Sequence, residues 1–447
     1  MNPHVSGGTC GEDANAELRP VANRPKVDSD AGVQHHICRT RLEGLKDHEM
    51  ANQQSIMLLP GITAVMFGWA ALAGLGHGQE PGQNSAPGGV EIRYRMPAII
   101  MQAHVDWPKD GKYWDEMAKF VAENGFNCVE GNIDHLDVCR QNGLRVLLGA
   151  EDAVLKETPR LKDDPAVFGY FVSDRRKSHA FPGFAAAARE WEKADPNHPT
   201  IFINYALWNE FTRFTEEVKP MVLNFYHYHW DARRRPEFYF IFLAQFRDLG
   251  LKNGIPVMQC TASNNTPAQV RQTIYTSLAY GLQGFQFWPP WIFAHEKDDK
   301  GDAKLKDGGL SKYVTLPHLC DIAKELKILG PTLITLRSVA VFHAEPVPPG
   351  GEKTKDDSWY RLAGEEVMVG EFEDDQKRKF LMLVNRDAGQ PRAATVSWPQ
   401  QIAGVQRMDK TSGTWDDLPL ESAAGGQSVT VRLDPGDGQL LRVSTEK

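Results

Sequence analysis

The chain has 447 residues, 41% of them hydrophobic and 24% charged, with a formal net charge of −8 at pH 7. This is the make-up of a folded protein too long for one ordinary core, so two domains plus tails are expected. An acidic balance excludes the basic footprint of a nucleic-acid binder, and a local run such as Arg233-Arg234-Arg235 reads as a solvated loop face.

Residues 1–49 are polar and lack apolar periodicity, as a disordered tail or an over-extended start ahead of Met50 would be. From Ile56 to Leu75 the chain is nearly free of charge, and small residues follow at Gly76 and Gly78 before Gln79. Residues 50–78 therefore read as a signal peptide, with export to the periplasm or the outside. An uncleaved N-terminal anchor is the alternative, since the run approaches the ~20 residues a bilayer needs, and it is the one expected membrane contact. A Gly- and Pro-rich linker occupies 79–95. The six cysteines, Cys10, Cys38, Cys128, Cys139, Cys260 and Cys320, have no C-x-x-C spacing, so buried thiols are expected, with no metal and no cofactor.

Eight short apolar runs lie between residues 98 and 290: Ala98–Met101, Asn127–Glu130, Arg145–Leu148, Val167–Val172, Thr200–Ile203, Met221–Phe225, Ile255–Met258 and Gly284–Trp288. Each is continuous rather than alternating, the signature of parallel strands covered on both faces. Helical patterns separate them at Tyr113–Glu123, Phe181–Ala194, Phe238–Gly250 and Pro267–Tyr280, the last capped by Thr266. Eightfold strand-helix repetition predicts an α/β fold, a (β/α)8 TIM barrel over 96–345, and no G-x-G-x-x-G follows the first strand. After the break at Pro346-Val347-Pro348-Pro349-Gly350-Gly351 come short alternating strands at Val367–Glu371, Phe380–Val384, Ala394–Trp398, Val429–Leu433 and Gln439–Val443, predicting a small antiparallel β-sandwich over 346–447.

The stretch Asp164-Pro165-Ala166-Val167-Phe168-Gly169-Tyr170-Phe171-Val172-Ser173-Asp174-Arg175 resembles the "dPa-x-x-GY-x-x-x-DEP" strand of bacterial glycoside-hydrolase-like barrels. Asp195-Pro196-Asn197-His198-Pro199, leading to Asn204, is similar to the "DP-x-h-P…N" element of such barrels. Ser277-Leu278-Ala279-Tyr280-Gly281-Leu282-Gln283-Gly284 resembles their "sLaYGa-k-G" turn, and Leu326 to Val341 their "lGp-x-L-x-x-L" closing helix. The resemblance implies an oligo- or polysaccharide substrate and a site at the strand C-termini. It also implies a general acid at the Glu of DEP, where this chain has Arg175.

Glycoside hydrolysis ordinarily uses two carboxyls, one protonated to assist departure and one ionised. The resemblance implies them after strands 4 and 7, where this chain has Asp174-Arg175 and Gln259-Cys260-Thr261. The expected catalytic residues are therefore Asp174 or Glu151, an atypical arrangement. Asp106, Glu130, Asp152, Asn204 and Gln259 are candidate binding residues, and the acids among them are also readable as ion pairs or loop caps. Tyr226-His227-Tyr228-His229-Trp230 and Trp288-Pro289-Pro290-Trp291 offer rings for sugar C–H faces, with His227, His229, Trp288 and Trp291 as the named contacts. His227 and His229 as metal ligands are the weaker reading. Arg175 with Arg176 would suit an anionic sugar. A secreted glycoside hydrolase is the favoured function. The alternative is a non-catalytic carbohydrate-binding barrel that has lost its catalytic Glu residues.

Overall fold

The computed structural model describes residues 92–445, apart from Asp106, residues 108–110, Lys112, residues 175–177, 206–209 and 232–235, Asn264, and residues 289–316 and 424–425. The side chains at 174, 204, 205, 288 and 423 also lie outside the description, as do residues 1–91, on which the expected tail, the expected signal or anchor segment and most of the expected linker fall.

Eight parallel strands close a barrel in sequence order: β1 Ile100–Ala103, β2 Cys128–Gly131, β3 Arg145–Gly149, β4 Val167–Asp174, β5 Thr200–Tyr205, β6 Leu223–Tyr226, β7 Val257–Ala262 and β8 Gly284–Trp288. β8 returns to pair with β1, Met101 opposite Phe285, so no edge is left in the ring. Around it run α1 Trp114–Glu123, α2 Leu136–Gln141, α3 Asp152–Leu161, α4 Phe181–Ala194, α5 Phe211–Val218, α6 Tyr239–Asn253, α7 Pro267–Ala279 and α8 Pro317–Leu333. All eight expected strands are present. No helix among the described residues is long and apolar enough to cross a membrane.

The two-residue alternation of a strand sorts the barrel's side chains. Ile100, Cys128, Leu147, Phe168, Ile201, Val222 and Met258 turn inward and form one buried plug across the base. Their neighbours Val146, Leu148, Phe202 and Phe225 turn outward into the helical layer, where Phe225 stacks on Phe246 of α6 at 3.8 Å. Gly284 completes the plug, because a Cβ there would lie 2.7 Å from the Met258 side chain.

The two motifs at Gly169-Tyr170 and Asp195–Pro199 interlock. A Cβ on Gly169 would fall 2.5 Å from the Pro199 carbonyl oxygen, so only glycine lets β4 lie this close to the start of β5. The next side chain, Tyr170, donates its hydroxyl to Asp195 Oδ2 at 2.5 Å. Asp195 is fully buried at the end of α4 and also accepts from the backbone N–H of Asn197 at 3.0 Å and meets His198 Nδ1 at 2.9 Å. α7 starts as its sequence dictates, with Thr266 and Gln269 reciprocally capped and Pro267 in the first turn.

The C-terminal region holds two antiparallel sheets. One has six strands in the order β15 Trp415–Leu418, β14 Ile402–Met408, β18 Gly438–Thr445, β12 Lys379–Asn385, β11 Val367–Glu373, β9 Arg337–His343. The other runs β10 Arg361–Ala363, β13 Arg392–Trp398, β17 Gly426–Leu433, β16 Glu421–Ala423. Tyr360, Leu381, Leu383, Val396, Trp398 and Leu441 fill the space between them. Two expectations need correction. α8 ends at Leu333, so Leu326 to Val341 is not one closing helix, and β9 already belongs to the six-stranded sheet. The β region therefore begins at Arg337, ahead of the proline run and of the expected boundary at 346.

The sheets sit tightly on α7. A Cβ on Gly370 of β11 would lie 2.2 Å from the Ala279 carbonyl oxygen. Alongside, Arg271 of α7 bridges Glu325 of α8 at 2.8 Å and Asp437 at 2.5 Å, and Lys410 reaches Asp437 at 2.7 Å.

Candidate active site

Above the apolar plug the inward positions change character. Two residues on from Ile100, Cys128, Val222 and Gly284 stand Gln102, Glu130, Asn224 and Gln286, which therefore share the inner face. They are joined. Asn224 Nδ2 donates to Gln286 Oε1 at 2.5 Å, Gln286 Nε2 to Gln102 Oε1 at 2.7 Å, and Gln102 Nε2 to Glu130 Oε1 at 2.9 Å. Just past the end of β1, His104 Nδ1 meets Glu130 Oε2 at 2.9 Å. The amides are buried, whereas the His104 and Glu130 side chains keep 24% and 35% of their exposure, so the charged end of the array is reachable from the strand C-termini.

The loop after β1 is fixed over this group. Trp107 Nε1 donates to the Glu130 carbonyl oxygen at 2.9 Å, and its ring stacks on His135 at 4.4 Å. Burial holds the His135 imidazole down to about 4, so it is a neutral platform in the fold.

On β3, Gly149 follows Leu147 on the inner face and leaves that place open. Glu151 Oε1 lies 3.6 Å from where a Gly149 Cβ would be, so this exposed carboxyl folds back over the end of β3, the strand it follows. Glu130 thus faces the axis from β2, and Glu151 follows the end of the adjacent strand β3. Asp152, beside it, is the exposed first residue of α3, where an acid complements the helix dipole. Asp174 ends β4 opposite Ile203, Asn204 lies in β5 opposite Phe225, and Trp288 ends β8 opposite Ala262. Asp106, Arg175 and Trp291 lie outside the described residues.

Three expected contacts face away from the axis. Gln259 is fully buried and accepts from Ser277 Oγ of α7 at 2.6 Å. The inward positions of β7 are those of Met258, Cys260 and Ala262, one residue out of phase with it. The aromatic run after β6 divides similarly. His229 is sandwiched in the helical layer, its ring 3.6 Å from that of Tyr239 and its Nε2 3.1 Å from Gln272 Oε1, and burial pushes its pKa down to about 3. His227 stacks on Tyr239 in the same layer and meets Phe242 at a tilt. The binding role expected for Gln259, His227 and His229 is therefore replaced by packing between barrel and helices. Tyr226, by contrast, follows Asn224 on the inner face, and Tyr228 brings its hydroxyl to 3.9 Å from Cys260 Sγ.

His104, Gln102, Asn224 and Gln286 were missed as site residues. The signal was present as lone amides inside apolar runs, Val222-Leu223-Asn224-Phe225 and Phe285-Gln286-Phe287. The described cysteines are free and buried, and no group of three or more His, Cys, Asp or Glu able to hold a metal occurs among the described residues.

No protein-family model matches the chain, and no curated protein matches it. Among solved structures it is similar to an α-amylase from Geobacillus thermoleovorans complexed with acarbose, at 9% identity and TM-score 0.43 over 78% of this chain and 97% of that one. It is also similar to a β-L-arabinopyranosidase from Geobacillus stearothermophilus complexed with arabinose, at 11% identity and TM-score 0.42 over 78% and 98%. An endo-1,4-β-mannanase from Eisenia fetida aligns at 10% identity and TM-score 0.33 over 46% of this chain and 88% of that one.

Proposed function

We propose that this chain is an exported carbohydrate-active protein, a glycoside hydrolase with an atypical carboxylate arrangement. The observation that carries the reading is Glu130, an inward carboxylate at the strand C-termini with a hydrogen-bond partner on each oxygen and a second carboxyl, Glu151, just past the end of the adjacent strand. A carboxylate that receives a donor on Oε1 suits the ionised role, and Glu151 is the second carboxyl near the end of β3 that the two-carboxyl chemistry of glycosidic cleavage calls for. Asp174 remains the candidate from β4. Tyr226 and Tyr228 supply rings at the same level for the C–H face of a sugar. Export rests on the apolar run from Ile56 to Leu75.

The test is hydrolysis of a panel of neutral and acidic oligosaccharides by the parent chain beside Glu130→Gln, Glu151→Gln and Asp174→Asn. Parent activity that falls by at least about 100-fold in Glu130→Gln supports the reading, in line with the usual loss when a catalytic acid or base is removed. One observation favours the second reading, a binding barrel without catalysis: β7 presents Cys260 and Ala262 inward and no acid. A parent that binds one glycan and cleaves none establishes that alternative.

A further inference from the structure

The orientation of an isolated amide pair is ambiguous, because oxygen and nitrogen can exchange places. Here one end of the array is not ambiguous. A carboxylate only accepts, so Gln102 must turn its NH2 to Glu130, which leaves Gln102 Oε1 to accept from Gln286 Nε2, and Gln286 Oε1 to accept from Asn224 Nδ2. The charge on Glu130 thus propagates one direction through three buried amides across β1, β8 and β6. The far end agrees with that direction. Asn224 is fully buried, and its Oδ1 has no hydrogen-bond partner among the described residues, the acceptor left over when every link points toward Glu130. Aligned amide dipoles in a low-dielectric interior reinforce one another.

We infer that Gln102, Gln286 and Asn224 are positioning residues: a one-way amide relay that holds Glu130 in place and through it fixes His104 as the Nδ1–H tautomer. Glu130 Oε2 receives the Nδ1 proton at 2.9 Å, and Nε2 is the ring nitrogen without a partner among the described residues. On the reading of this mouth as the substrate site, Nε2 is then a lone-pair acceptor presented to a sugar hydroxyl or to the attacking water. The relay acts through Glu130 and touches no substrate itself.

The experiment reads the tautomer directly and needs no substrate, so it stands or falls separately from glycan activity. Full-length chain with 15N-labelled histidine is followed by two-bond 15N–1H correlation spectra at pH 8, with the His104 signals identified by their loss in His104→Gln. The parent is expected to show Nδ1–H as the dominant form. Gln102→Met, close in shape but without a donor, frees Glu130 Oε1 and lets the carboxyl turn from His104, so it should lower the Nδ1–H to Nε2–H ratio by roughly a few-fold, less than the loss of the His104–Glu130 bond itself. Gln286→Met should move it the same way by less, while the signals of buried His229 and His343 stay put. A parent in the Nε2–H form overturns the inference. So does an unchanged ratio in a folded Gln102→Met or, if that variant does not fold, in Gln286→Met.

Discussion

Asp195→Ala is the perturbation whose cost the structure defines best. The carboxylate is fully buried, Oδ2 meets the Tyr170 hydroxyl and His198 Nδ1, and Oδ1 accepts from the N–H groups of Asn197 and His198. Alanine leaves the fully buried Tyr170 hydroxyl unmet, at about 2 kcal/mol, and two partly buried amides at about 1 kcal/mol each, a total of about 4 kcal/mol. For a chain of 447 residues that is a fall in Tm of roughly 4–5 °C, measurable by calorimetry or by far-UV circular dichroism. Tyr170→Phe alone removes the donor together with its need, so the two changes together should cost about 2 kcal/mol less than their sum. Burial would raise the Asp195 pKa, but the His198 and Tyr170 bonds hold it below the usual carboxylate value. Its contribution is therefore present above about pH 4 and lost as pH falls through the lower folded value, and Asp195→Asn should flatten that acid limb. A cost for Asp195→Ala below about 1 kcal/mol, or strict additivity with Tyr170→Phe, would refute the view that this group locks α4 to the barrel.

Two further outcomes follow from buried charge and its absence. His229, at about 3 through burial, is neutral in the fold, so stability is full above its ordinary value near 6.5 and declines as pH falls toward 3. His229→Phe should remove up to about 1.4 kcal/mol of that decline per pH unit in urea titrations, and an unchanged slope would contradict the buried neutral ring. Asp437→Leu leaves Arg271 and Lys410 facing each other beside α7, where they are 21% and 17% exposed. A loss of about 2 kcal/mol in thermal unfolding is expected, reduced at high salt, and a neutral effect would show that the sheets dock on apolar contact alone.

Much of the barrel was legible because each strand is buried on both faces and reads as an unbroken apolar run. The Gly169-Tyr170 and Asp195–Pro199 motifs were visible too, but as markers of an interlock between β4, α4 and β5 rather than of chemistry. The end of the barrel misled because Leu326, Leu329, Leu333 and Leu336 keep helical spacing past the point where α8 stops, and β9 starts one residue after the last of them. Strand phase explains the errors at the site. Gln259 and Cys260 are adjacent, and which of them faces the axis depends on register with Met258, information that pairing supplies and a single strand lacks. Gln102, Asn224 and Gln286 are distant in sequence and acquire a common meaning only when β1, β6 and β8 meet around one axis.

The most direct test of the account is a crystal of the Glu130→Gln chain soaked with an oligosaccharide that the panel shows to bind. The account predicts a sugar ring at the strand C-termini, within hydrogen-bond reach of His104 and of position 130, with Glu151 on its flank. A saccharide found only elsewhere on the molecule, with the mouth around His104 empty, would contradict it.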